Sequence, residues 1–67
     1  MTEDEKQLLV ALAWMCEQYI SDSEGLDHEC MSAGEGAVEL LFKYGLVDSV
    51  GRYAKWTEAG QALLNSN

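Results

Sequence analysis

The fold of this chain is decided by residues 32–47, which read SAGEGAVELLFKYGLV. Ser32 and Glu35 match the capping box Ser-x-x-Glu, in which the serine hydroxyl accepts the backbone N–H of Glu35 and the carboxylate reaches back to Ser32. Apolar residues at helical spacing follow, so we predict a helix over about 33–44, with Gly45 in the left-handed conformation after its end. The residues expected to face inward, or nearly so, are Ala37, Val38, Leu40, Leu41 and Tyr44.

The residues that follow this helix predict a β-hairpin and a final helix. We expect short strands at 46–48 and 54–56, joined by residues 49–53, where Gly51 can adopt a positive φ. Thr57 is placed to cap a helix over 58–64, and Glu58 lies in its first turn, where the helix dipole favours an acid.

The residues before position 32 predict a long amphipathic helix over 3–20, with Thr2 or Asp4 as its N-cap. Its apolar stripe comprises Leu8, Leu9, Leu12, Met15, Cys16 and Tyr19. Residues 21–25 have the composition of a turn, and residues 26–31 are expected to form one or two helical turns. The predicted fold is a single domain over 1–67, mainly α with a short β-hairpin (α+β class), in the order helix–helix–helix–strand–strand–helix.

Two stretches of the C-terminal half resemble a winged helix-turn-helix domain: residues 37–47 (AVELLFKYGLV) and residues 56–64 (WTEAGQALL). In many bacterial regulators of this family, a helix ending in Gly-Leu-Val is followed by a wing and then by Thr-Glu-x-Gly-x-x-Leu-Leu. The resemblance implies that the helix over 33–44 is the recognition helix and that residues 49–53 form the wing tip. The small size and acidity also resemble, in style, accessory proteins of phages and mobile elements, including anti-CRISPR and antirepressor proteins.

Charge is unevenly distributed along the chain, which has 12 acids, 4 Lys and Arg residues and a net charge of −8. Residues 1–39 hold ten acids and one base, whereas residues 40–67 hold two acids and three bases. The first half therefore repels phosphate backbones. The acidic start and the lack of an apolar run near ~20 residues predict a cytoplasmic protein without a signal peptide or a membrane span.

Cys16, His28 and Cys30 are the residues best suited to metal or thiol chemistry, but their spacing does not favour either. His28 and Cys30 are two residues apart, and neither Cys-x-x-Cys nor His-x-x-x-His occurs. Two cysteines are too few for a disulfide framework, so we expect free thiols packed in the core. We predict a non-enzymatic protein with no metal and no cofactor.

The acidic residues are the strongest candidates for function. A docking surface for a basic or nucleic-acid-binding protein is predicted at Glu24, Asp27, Glu29, Glu35 and Glu39. The same residues are equally compatible with a solvated face that only keeps the domain soluble.

The alternative function is a dimeric DNA-binding transcription regulator that uses the third helix and the wing. In that case Lys43, Arg52 and Lys55 would contact phosphates. Trp14 and Phe42 are expected to point partly outward, and we predict them as an apolar interface for a second copy or another partner.

Overall fold

The computed structural model describes residues 1–66, apart from the side chain of Val50. Over that range three helices and four short strands follow one another along the chain. They are α1 (Glu3–Tyr19), β1 (Ser21–Asp22), β2 (Gly25–Asp27), α2 (Ser32–Lys43), β3 (Val47–Val50), β4 (Tyr53–Trp56) and α3 (Glu58–Asn65). The strands form one antiparallel sheet in the order β1–β2–β4–β3, which confirms the predicted α+β class.

The predicted order of elements is wrong between α1 and α2. Residues 26–31 complete strand β2 and then form a turn, where a short helix was expected. The observed order is helix–strand–strand–helix–strand–strand–helix, so residues 21–31 do not supply the first helix of a helix-turn-helix.

Strand β2 forms because it pairs with β4, far along the chain. Leu26 lies opposite Ala54, and Asp27 lies opposite Tyr53. This pairing satisfies backbone groups that β4 would otherwise leave unpaired beside the core. Gly25 enters the strand with a φ of 134°, and a Cβ at this position would lie 2.7 Å from the Ala54 carbonyl oxygen. Only glycine allows the hairpin to approach β4 this closely.

The helices begin with different caps. Thr2 and Glu5 form a complete capping box at the start of α1, with both hydrogen bonds 3.0 Å long. Thr57 caps α3 by accepting the N–H of Gly60 at 3.1 Å. The capping box predicted at Ser32 is wrong, because the N-cap of α2 is Met31 and its side chain makes no capping bond. Ser32 is the first residue of α2 and therefore lies one position after the N-cap.

Glycines end α2 and turn the hairpin as predicted. Gly45 has a φ of 73° directly after Tyr44, the C-cap of α2. Gly51 has a φ of 64° and, with Arg52, forms the turn between β3 and β4. Both positions carry the left-handed backbone that side chains disfavour.

The core lies between the helices and one face of the sheet. Its buried apolar residues are Leu9, Ala13, Cys16, Ile20, Leu26, Val38, Leu41, Leu46, Val47, Ala54, Leu63 and Leu64. Gly60 joins α3 to this core, since a Cβ there would collide with the carbonyl of Leu46 and would lie 2.9 Å from the Trp56 ring. The last helix therefore docks directly on the backbone that leads into β3.

Several residues predicted to face inward are exposed. On α1 they are Leu8, Met15 and Tyr19, and on α2 they are Leu40 and Tyr44, with exposed fractions from 44 to 71 %. The two helices pack through narrower stripes than the sequence indicates, because a chain this short has little core to cover them. The prediction that both cysteines are packed is correct for Cys16 and wrong for Cys30, which is exposed.

Candidate functional site

Helix α2 exposes two flanks of different chemistry, one on each side of its buried stripe. The acidic flank consists of Glu35, Glu39 and Phe42, which follow one another at helical spacing. A shallow depression of about 440 Å³ is lined by these three residues together with His28, Val38 and Ser49. Phe42 is 53 % exposed, as expected from the sequence. Two carboxylates beside an aromatic ring suit an arginine or lysine side chain, which pairs with the acids and stacks on the ring.

Lys43 lies at the edge of the acidic flank. Its ammonium group is 3.6 Å from the Glu39 carboxylate, and both side chains are about two-thirds exposed, at 65 % and 69 %. An exposed i,i+4 pair of this kind contributes little to stability and is exchanged easily for another partner.

Asp27 and Arg52, predicted for two different sites, bind each other. Arg52 Nε donates to Asp27 Oδ1 at 3.0 Å, and Nη2 donates to Oδ2 at 2.9 Å. The N–H of Glu29 also donates to Oδ1, at 3.1 Å. The guanidinium group lowers the pKa of Asp27, whose side chain is only 12 % exposed, and the pair raises the pKa of Arg52. Asp27 is thus part of the scaffold, and the charge of Arg52, whose side chain is 52 % exposed, is paired with it.

His28 strengthens the same connection between β2 and the β3–β4 turn. Its Nε2 donates to the Gly51 carbonyl oxygen at 2.9 Å. The Arg52 guanidinium also lies 5.7 Å from the centre of the Tyr53 ring. The side chains at the turn therefore serve to hold the two hairpins together.

Glu24 and Lys55 lie away from the acidic flank. Both line a separate depression, on the side of the sheet where Glu17, Asp22 and Trp56 also lie. Glu17 accepts the indole N–H of Trp56 at 3.2 Å. Glu29 is exposed in the segment between β2 and α2. The five acids predicted as one face are therefore spread over several surfaces, and Glu35 and Glu39 line one depression together.

Trp14 and Phe42 line different depressions. Trp14 is 37 % exposed and lines a depression between α1 and the end of α3, beside Lys6 and Ser66. Phe42 is in the acidic flank of α2. The two aromatic side chains predicted as one apolar interface therefore lie in two separate depressions.

An apolar surface that was not predicted from the sequence is formed by α1 and the second flank of α2, and we call it the α1–α2 face. Its exposed side chains are Leu8, Met15 and Tyr19 of α1, Met31 before α2, and Leu40 and Tyr44 of α2. A groove of about 260 Å³ runs between the helices and is lined by Leu12, Met15, Cys16, Tyr19, Ile20, Met31, Ala33, Gly34 and Ala37.

At one end of the α1–α2 face, a side-chain hydrogen bond connects the two helices. The hydroxyl of Tyr44 donates to Glu5 at 2.9 Å. The pKa of Glu5 is lowered, first by the bond from the Thr2 backbone and then by Tyr44. The sequence of α1 could have indicated this face, because apolar residues occupy more of the helix circumference than one small core can cover. Some of them must therefore remain exposed.

The positions of the cysteine and acidic side chains do not favour thiol or metal chemistry among residues 1–66. Cys16 is in the core, and burial raises the pKa of its thiol, which disfavours the reactive thiolate. Among residues 1–66, no group of three His, Cys, Asp or Glu side chains is placed to hold a metal ion. Over the same range, none of the helices has the length and apolar character required to cross a membrane.

Comparison of the chain with models of known protein families, with curated proteins and with solved structures finds no match.

Proposed function

We propose that this chain is a small non-enzymatic regulator or inhibitor that binds a basic protein through the acidic flank of α2. The observation that supports this is the shared depression of Glu35, Glu39 and Phe42, which joins two carboxylates to an exposed aromatic ring. A basic partner, including one that itself binds nucleic acid, would be attracted over a distance by the net charge of −8.

We also propose that the domain is winged-helix-like, as the resemblance of its C-terminal half implies. In it, α2 corresponds to the recognition helix of a winged-helix-like domain, residues 49–53 to its wing tip and α3 to the helix that follows. The chain would be a cytoplasmic accessory protein of the kind that phages and mobile elements encode, with a protein in place of DNA as its ligand.

The alternative, a dimeric DNA-binding transcription regulator, has less support. Arg52 is bound to Asp27, Lys43 pairs with Glu39, and Lys55 lies opposite Asp48 on the neighbouring strand. Each base that would contact phosphate thus has an acid beside it, which reduces the positive potential available to a nucleic acid.

Charge reversal on the acidic flank tests the proposal. Glu35→Lys with Glu39→Lys should abolish capture of a basic partner from an extract of the native host at about 0.15 M salt, where the Debye length is about 8 Å. The captured proteins are identified by mass spectrometry. Both side chains are exposed, and Glu35 forms no capping bond, so the variant should remain folded by circular dichroism.

The matched control reverses the same number of charges elsewhere. Glu24→Lys with Glu58→Lys changes two exposed acids outside the acidic flank and should leave capture intact. Equal capture by wild type and both variants would show that the acids only solubilise the domain. Retention of the wild type on heparin or a shift of duplex DNA at the same salt would favour the DNA-binding alternative.

A further inference from the structure

The α1–α2 face is unusually apolar for the surface of so acidic a chain. Its six large side chains are between 44 and 71 % exposed. Together they expose on the order of 600 Å² of mostly apolar surface, which is at the upper end for the largest patch on a monomer. The area is close to the ~800 Å² that each partner contributes to a standard protein interface.

The face also lacks charge in its centre. Residues 7–16 of α1 contain no Asp, Glu, Lys or Arg, although the whole chain has a net charge of −8. On α2, Ala33 and Ala37 line the groove, Leu40 and Tyr44 are exposed, and Gly36, also exposed, lies one helical turn before Leu40. A charged partner has nothing to pair with here, so the occupant must present an uncharged, apolar surface of its own.

The face has a raised part on α1 and a lower part on α2. The side chains of Leu8 and Met15 project from α1, while the neighbouring part of α2 is low because it carries alanine and glycine. A Cβ added at Gly36 would meet nothing within 4 Å, so the space above this residue is open. In a dimer with two-fold symmetry both copies use the same patch, so each copy can place its raised part against the lower part of the other.

The geometry points to a homodimer in which the α1–α2 faces of two copies pack against each other. Leu8 and Met15 of one copy lie over Ala33, Gly36 and Ala37 of the other, and the four helices bury their exposed apolar side chains between them. The dimer leaves the acidic flank of α2 free, because that flank is on the other side of the helix. It therefore neither requires nor excludes the basic partner.

Sedimentation velocity over a micromolar to millimolar range of chain concentration tests this proposal. The wild type should pass from monomer to dimer with rising concentration. Met15→Glu should raise the dissociation constant by about a hundredfold or more, since each dimer would bury the carboxylate twice. Leu8→Glu, at the most exposed of these side chains, is a second variant should Met15→Glu lose its circular dichroism spectrum. Ala62→Glu adds the same charge at an exposed site on α3 and should dimerise like the wild type.

The salt dependence of dimerisation distinguishes an apolar interface from one that is stabilised by ion pairs. Raising the salt from about 0.15 M to about 0.5 M should leave the dimer intact or strengthen it, because screening reduces repulsion between the acidic copies. A wild type that stays monomeric throughout, a dimer that survives the charged variants, equal loss in Ala62→Glu, or dissociation by salt would each overturn the proposal.

Discussion

At the scale of single residues, the ion pair between Asp27 and Arg52 connects two segments that are distant in the sequence. Two hydrogen bonds of 2.9 and 3.0 Å fix the guanidinium group on the carboxylate. The pair joins β2 to the β3–β4 turn across 25 positions of the sequence. If one partner is removed, the charged group of the other loses its hydrogen bonds. The free-energy cost of that loss is larger than the net stabilisation that the intact pair provides.

The lowered pKa of Asp27 predicts a specific dependence of stability on pH. The ion pair contributes its full stability above about pH 4, the pKa of a free aspartate, and loses it as the pH falls through the lowered pKa. Asp27→Asn should therefore reduce the urea midpoint at pH 7 and lose less stability than the wild type on further acidification. Denaturation curves at a series of pH values measure this.

Asp48→Asn is the control for that series. Asp48 is an exposed acid on β3 and forms no salt bridge within the part of the chain that the structure describes. Its replacement should leave the acid sensitivity close to that of the wild type. Identical pH curves for Asp27→Asn and the wild type would contradict a structural role for the Asp27 carboxylate.

At the scale of elements, the starts of α2 and α3 differ although both carry a hydroxyl residue. Thr57 accepts the Gly60 N–H and also donates to the Gly45 carbonyl oxygen at 2.7 Å, so it joins α3 to the end of α2. Ser32 forms no capping bond. The tertiary position of the preceding chain decides which hydroxyl becomes a cap.

Two substitutions test this difference. Thr57→Val should destabilise the fold by about 1–2 kcal/mol, because it removes a cap and a second hydrogen bond. Ser32→Ala should change stability by less than about 0.5 kcal/mol. The free energy of unfolding from urea titration measures both. A larger loss in Ser32→Ala than in Thr57→Val would restore the capping box predicted from the sequence.

At the scale of the whole molecule, the C-terminal helix α3 packs directly against the backbone of Leu46. Thr57 N–H donates to the Leu46 carbonyl oxygen at 3.0 Å, and Gly60 lies against the same carbonyl. A side chain at position 60 would separate α3 from the sheet and open the core around Leu63 and Leu64.

Gly60→Ala should therefore destabilise the protein by on the order of 2–3 kcal/mol, even though alanine is the better helix former. Gly36→Ala is the matched control on α2. Its Cβ would lie in open space within a single copy, so at chain concentrations where the protein is monomeric the substitution should be neutral or stabilising. Thermal unfolding of both variants gives the comparison, and a stabilised Gly60→Ala would disprove the close packing of α3.

The sequence by itself determined the three helices, the β3–β4 hairpin, the Thr57 cap and the positive φ of Gly45 and Gly51, and it gave Thr2 as one of two candidate caps of α1. These features depend on residues within about four positions of each other, and such signals are legible along the chain. Only the tertiary structure decided that residues 21–22 and 25–27 form strands, that Asp27 binds Arg52, and that Leu8, Met15 and Tyr19 remain exposed. Each of these depends on what a distant segment satisfies or fails to cover, and no local pattern carries that information.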